Sequence, residues 1–309
     1  MKRNSLITMI LGLSLLLGGC IEEKQVDSET VTGDTRKNDY EKENFVPIQE
    51  YTGEGFKLRD SREENLEIAE KYREEVEKAV KQFFLDEYKT EVKVHNMVAA
   101  VDGVKVHVES IGEPHFYIHT IVPVDINNKT VRTDSIWALE GQIEKAIQGG
   151  LYAMAYEEEF KKLDNYLEGL TKEHPITGTP IEANQNVLGT GYMTSYYFIA
   201  PAGDVFKDLF NLYLENPKIT TEEIREFLAN NQFESHLLNI AIEFYMEQSN
   251  TNPKQEILDA IASDIESMEN IPRGEYTIIL NDNFIDKSRG IGLKENSLRR
   301  SSPNDIIKE

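Results

Sequence analysis

Cysteine occurs once in the 309 residues, at Cys20. An intramolecular disulfide is therefore excluded, as are all-cysteine zinc sites, iron–sulfur clusters and thiol redox pairs. Positive charge is also scarce, with 33 Lys and Arg against 55 Asp and Glu and a net charge of -22. A chain this acidic repels nucleic acid and anionic headgroups, so no nucleic-acid partner is expected. After the first twenty residues no apolar run approaches the roughly 20 residues needed to span a bilayer. Catalytic signatures are missing as well: there is no GxSxG, no SxxK, no HExxH and no EF-hand loop. The GTG at 189–191 and the GIG at 290–292 do not continue into a dinucleotide or Walker loop, and both read as turns. What is present suits a folded body, since 39% of the residues are hydrophobic and 9% aromatic.

The start has the three parts of an export signal. Lys2 and Arg3 supply the positive end, Leu6 to Leu17 the apolar core, and Gly18 and Gly19 the small residues before Cys20. The apolar core is too short to span a bilayer, and Glu22 and Glu23 follow it at once. Residues 1–19 are expected to be removed, which leaves 31 basic residues against 55 acidic ones in the rest.

Residues 17–20, LGGC, resemble the lipobox of bacterial lipoproteins. That resemblance implies cleavage between Gly19 and Cys20, a diacylglyceryl group on the Cys20 thiol with palmitate-type chains, and a new amino group open to acylation. It places the mature chain at the outer face of the cell membrane, held by lipid. Two acyl chains at about 0.8 kcal/mol per buried methylene hold firmly without help from protein contacts. The YTGEGF stretch from Tyr51 and the VKVHNMVAAVDGVKVHVE stretch resemble a Gram-positive lipoprotein family of unknown function, which offers no activity to transfer.

Along the chain, residues 20–44 read as a lipidated cysteine and a polar, disordered tether, spanning roughly 25–30 Å. The body is expected to be α+β, with an N-terminal helix and an antiparallel three-stranded meander in 45–134. A mainly helical part with one or two further strands follows in 135–285, packed with the former as one body, and 286–309 forms a flexible tail. Ser61 with Glu64 suggests a capping box opening a helix from Arg62 to Tyr88. Three strand-like runs follow, Glu91 to Ala100, Val104 to Ser110 and His115 to Val124. For the first hairpin, a two-residue AspGly loop pairing Val101 with Val104 would mix apolar and polar rows on one face. A three-residue loop, Val101 to Gly103, instead aligns Val94 and Val98 with Val104, Val106 and Val108. Helical periodicity resumes after Ser135, with Gly149 and Gly150 expected to kink or break the long helix. Tyr192 to Ala200 is an aromatic strand candidate. Helices are expected near Asp204–Leu214, Thr220–Ala229, Phe233–Gln248 and Pro253–Met268, with a last strand at Glu275–Leu280 and a second capping box at Thr220 and Glu223.

The preferred register puts Lys93, His95, Lys105, His107 and Glu109 on the face opposite the valines, joined by His115, Tyr117 and His119. Four of the six histidines then share one face, where cross-strand neighbours lie about 5 Å apart. His107 with His119, plus Glu109 or His95, would form a three-ligand metal site with an open position. The alternatives are a face that meets water or histidines satisfied by hydrogen bonds beneath a helix. A second candidate is a ligand groove lined by Tyr192, Tyr196 and Tyr197 beside the LGTG at 188–191, with core packing as its alternative. No cofactor is expected, a divalent metal being the alternative. The chain is expected to be a non-catalytic binding or interaction module at the cell surface, with a protein or small-molecule partner. A metal-dependent envelope hydrolase using the histidine face is the rival reading.

Overall fold

The computed structural model describes residue 36 and residues 38–309. The export signal, the Gly19–Cys20 cleavage site, the lipid-bearing Cys20 and the tether up to residue 35 lie outside the described residues. At the far end of the expected tether the chain is helical: α1 (Asp39–Asn44) is capped by Asn38, whose side chain accepts the Glu41 amide at 2.9 Å. Its polar sequence folds because a cap precedes it and a paired strand follows it. Strand β1 (Phe45–Pro47) pairs antiparallel with β10 (Phe284–Asp286), so this segment is pinned to the C-terminal part.

The single helix expected over Arg62–Tyr88 is two, α2 (Glu63–Lys71) and α3 (Arg73–Tyr88), broken at Tyr72. The Ser61 capping box does not form, Arg62 being the cap residue without a side-chain bond. Buried Asn65 instead fastens α2 to the first hairpin, donating to the carbonyls of Ala100 and Val101 at 2.9 and 3.1 Å. Val76, Val80 and Phe84 give α3 its buried stripe.

The meander is β2 (Val92–Ala99), β3 (Gly103–Ser110) and β4 (Tyr117–Asp125), extended by the short β5 (Thr130–Val131) into a four-stranded antiparallel sheet. Its first turn differs from both loops weighed on the sequence. Ala100 N donates to Gly103 O, which closes a two-residue loop of Val101 and Asp102. A bulge at His95 then shifts the register between Val94 and Asn96. Met97 and Ala99 therefore sit opposite Val106 and Val104, while Val94 sits opposite Val108. Val98 falls on the other face, opposite Lys105. The bulge restores an apolar row that the two-residue loop alone would have lost, because one extra residue reverses the alternation of everything beyond it.

The C-terminal part builds a second, six-stranded sheet. Its centre is β8 (Leu238–Met246), parallel to β9 (Gly274–Asn281) and joined to it by the crossover helix α9 (Gln255–Ser267). This strand replaces the helix expected over Phe233–Gln248. A nine-residue run rich in Ile, Phe and Tyr is buried on both faces as a central strand, and so carries no alternation to betray its period. The stretch 286–309 is not a frayed tail. Strands β11 (Leu298–Arg300) and β12 (Ile306–Lys308) both pair with β9, their ladder bonds doing what their few apolar groups could not.

Helix α4 (Gln142–Ala155) touches both β4 and the second sheet, and α5 (Glu157–Glu173) follows it after a break at Tyr156. Gly149 and Gly150 do not break α4, which continues through both. Strand β6 (Ile176–Thr177) and strand β7 (Tyr197–Pro201) flank β8. Helices α7 (Lys207–Glu215) and α8 (Thr221–Asn230) pack against α4, and the Thr220–Glu223 capping box forms as expected. A short turn, α6 (Ile181–Ala183), runs on into a π-helical turn at Asn184–Leu188.

One large core joins the valine face of the meander to α3, α4, α5 and the second sheet. A smaller one, built from Ile48, Tyr51, Val98, Ala183, Val187, Tyr245 and Ile285, covers the opposite face. The histidine-bearing face is thus interior, lying under the N-terminal segment and the π-helical turn.

Candidate ligand cleft and histidine pair

The four proposed metal ligands separate into two pairs. His95, pushed out by the bulge, places Nε2 2.7 Å from Glu109 Oε2. His107 and His119 stand directly opposite each other on β3 and β4, ring centroids 5.5 Å apart. Glu109 reaches His95, the Gln185 amide at 3.3 Å and His115 at 3.9 Å, and does not complete a set with the other pair. Among the described residues no group of three or more His, Cys, Asp or Glu side chains is placed to hold a metal ion. The bulge is the physical reason, because it moves His95 out of line with His107 and gives Glu109 a partner of its own.

The His107–His119 pair is held neutral. His107 is 1% exposed, and neither ring nitrogen finds a partner among the described residues. Burial, then the charges of Lys105, His119 and His95, hold its pKa well below the usual histidine value. Burial and Lys105 likewise lower His119 to about 3, with its Nε2 3.1 Å from the Gln142 side-chain nitrogen. Lys105 itself is lowered to about 8 by burial, its ammonium 5.7 Å from the centre of the Phe56 ring. A neighbouring lysine opposes the binding of a cation between these rings.

The convergent, open part of the molecule lies at the other end of the same sheet. A cleft of about 400 Å³ is lined by His115 from the β3–β4 connection and Tyr117 at the start of β4, by Asp164 and Glu168 from α5, by Ile181 from α6, and by the 192–196 segment before β7. Two of its walls are fixed by close backbone contacts. His115 rests against α4 at Gly150, where a Cβ would come within 2.6 Å of the His115 carbonyl oxygen, so any larger residue would push the connection away. Tyr117 and Gly191 exchange two backbone hydrogen bonds at 2.9 and 2.6 Å, which draws the LGTG stretch to the edge of β4. Tyr192 to Tyr196 therefore form a loop against the meander, and the strand begins only at Tyr197.

The ring of His115 stands edge-to-face with Tyr117 at 5.0 Å and with Tyr192 at 6.2 Å. Burial, followed by the charge of Asp164, raises the Tyr192 phenol to about 12. Tyr117 is raised still further, by burial and by Glu109. Asp164 is raised by burial, opposed by the Tyr197 hydroxyl. That hydroxyl is buried and approaches both Asp164 and Tyr192 without a well-aligned hydrogen bond to either. Of the three tyrosines expected in a groove, Tyr192 and Tyr196 line the cleft, while Tyr197 points into the core and stacks on Phe160 at 5.8 Å.

A family profile described as a protein of unknown function, DUF1672, matches residues 38–308. The chain belongs to the DUF1672 family. A crystal structure of a DUF1672 family protein from Staphylococcus aureus subsp. aureus Mu50 is similar in fold, with a TM-score of 0.70 at 19% sequence identity, covering 86% of this chain and 98% of that one. No curated protein matches the sequence. The resemblance of the body to a family of unknown function thus holds as DUF1672 membership, and the family description brings no activity with it.

Two cleft residues of this DUF1672 protein escaped sequence reasoning, Asp164 and Glu168. Their signal was present: Asp164 stands four residues after Phe160, beside Leu163 on the buried stripe of α5, where an apolar residue is the ordinary choice. Glu168 stands one turn further along.

Proposed function

We propose that this DUF1672 protein is a lipid-anchored, extracytoplasmic binding module that takes a small polar ligand in the cleft between His115, Tyr117, Asp164 and Tyr192. The observation that carries the reading is the convergence of four separate chain segments, two of them aromatic, one acidic and one contributing Ile181, on one open cleft of about 400 Å³. Small-ligand sites fall in the range of ~300–1,000 Å³, with mostly apolar and aromatic walls and a few placed polar groups. Non-catalytic binding is favoured over the rival metal-dependent hydrolase because His107, His119, His95 and Glu109 do not converge. The anchor rests on LGGC at 17–20 and on Cys20 being the chain's sole cysteine. Two acyl chains leave the body free to meet soluble ligands while confined to the membrane.

Both halves are tested in one preparation. Expressed in a Gram-positive host, the full chain is expected to enter the detergent phase on cloud-point partitioning and to yield an N-terminal peptide beginning at acylated Cys20. Cys20→Ser is expected to stay aqueous. Native mass spectrometry after exposure to a small-molecule extract of the same cells should then show a bound species that Tyr192→Ala loses. Equal partitioning of wild type and Cys20→Ser overturns the anchor, and a bound species that survives Tyr192→Ala overturns the cleft.

A further inference from the structure

The charges around the cleft narrow its ligand further, and this step rests on the binding reading above. Glu168 is already neutralised, its carboxylate 2.7 Å from the Lys172 ammonium. Asp164 is different. It is partly buried, and among the described residues no cation pairs with it. The charges of Glu113 and Glu157 also reach Tyr192, after that of Asp164. The only group lining the cleft that can carry positive charge is His115, and it stands 3.9 Å from Glu109 with its backbone amide bonded to Glu113. The remaining walls carry no charge: the rings of Tyr192 and Tyr196, with the nearly buried Tyr117 behind them, stand beside Ile181 and the Met193–Ser195 stretch. Tyrosine rings carry negative π faces, which attract a cation stripped of water, and a half-buried carboxylate beside them adds a fixed negative charge. An anion would meet Asp164 with no compensating cation, and a neutral ligand would leave the half-buried carboxylate without a counter-charge.

We propose that the cleft binds an organic cation, with an alkylated ammonium group seated among Tyr117, Tyr192 and Tyr196 and facing the Asp164 carboxylate. Tyrosine faces suit methylated nitrogen better than a bare ammonium, because the methyl groups contact the rings and the ion sheds less tightly held water. The acidity of the whole chain, net -22, raises the local concentration of such ligands near the surface.

The test uses the full chain in maltoside micelles, whose headgroup is uncharged, with ring-labelled histidine and tyrosine followed by NMR. The probes are choline, its neutral isostere 3,3-dimethyl-1-butanol, and acetate. Choline is expected to shift the His115, Tyr117 and Tyr192 signals saturably at millimolar concentration, and the isostere to shift them at least about fivefold more weakly. Asp164→Asn should weaken choline binding by about five- to tenfold, and Tyr192→Phe should retain it where Tyr192→Ala does not. Unchanged shifts elsewhere in the spectrum confirm that each variant is folded. If the isostere or acetate binds the same residues as well as choline does, the cationic assignment falls while the cleft stands as a binding site. If none of the three probes shifts these rings, the cleft reading falls with it. Choline binding untouched by Asp164→Asn overturns the role given to that carboxylate.

Discussion

The neutral histidine pair makes the protein acid-labile, and one substitution isolates the effect. His119 titrates at 6.5 in a free chain and at about 3 in the folded protein. Between those values the unfolded chain holds a proton that the folded one refuses. Stability is therefore full above 6.5 and falls as pH drops toward 3, with a limiting slope of about 1.4 kcal/mol per pH unit for one histidine. Integrated from about pH 7.5 to about pH 5, this single group removes about 2 kcal/mol. His119→Gln cannot take up that proton, and its amide can still meet Gln142. Urea unfolding followed by circular dichroism, at several pH values across that window, should show wild type losing about 2 kcal/mol more than the variant. The window stays above the range where most carboxylates titrate, and His107, lowered in the same direction, is common to both proteins. Parallel stability profiles for the two proteins would refute the burial of a neutral His119.

Lys105→Met should raise stability near pH 7 by about 1–3 kcal/mol. Its ammonium, lowered to about 8, opposes folding until the unfolded chain also loses the proton near 10.5, so the gain should vanish as unfolding is measured closer to that pH. Gly103→Ala should lower the urea midpoint by the equivalent of about 2–3 kcal/mol, because the new Cβ would lie 2.2 Å from the Val122 carbonyl oxygen on the neighbouring strand; an unchanged midpoint would contradict the observed hairpin packing. Amide hydrogen exchange should find Leu298–Arg300 and Ile306–Lys308 protected like the interior of β9, whereas free exchange there would restore the frayed tail.

Parts of the fold were legible where their signals are local. The alternation in VKVHNMV and GVKVHVE specifies strands, and Thr220 with Glu223 specifies a helix start through bonds made within four residues. Strand β8 was not legible, since a strand buried on both faces by its neighbours shows the same unbroken apolar run as a buried helix. Strands β11 and β12 were hidden for a related reason. Their order comes from ladder bonds to β9, and the choice of partner is written in β9 rather than in them.

The cleft divides along the same line. Composition and pattern alone determined the α+β class, the acidic surface and the sets of histidines and tyrosines from which a site could be drawn. They could not decide which of those residues meet. A bulge of one residue at His95 sent Glu109 to His95 and His115 and left His107 with His119, and no propensity marks where such a bulge falls. The approach of α4 at Gly150 and of the LGTG stretch to Tyr117 then brought an α5 carboxylate against aromatic rings from two other segments. Side-chain chemistry is local to the sequence, but the meeting of Asp164 with Tyr192 exists only once long-range backbone contacts have closed.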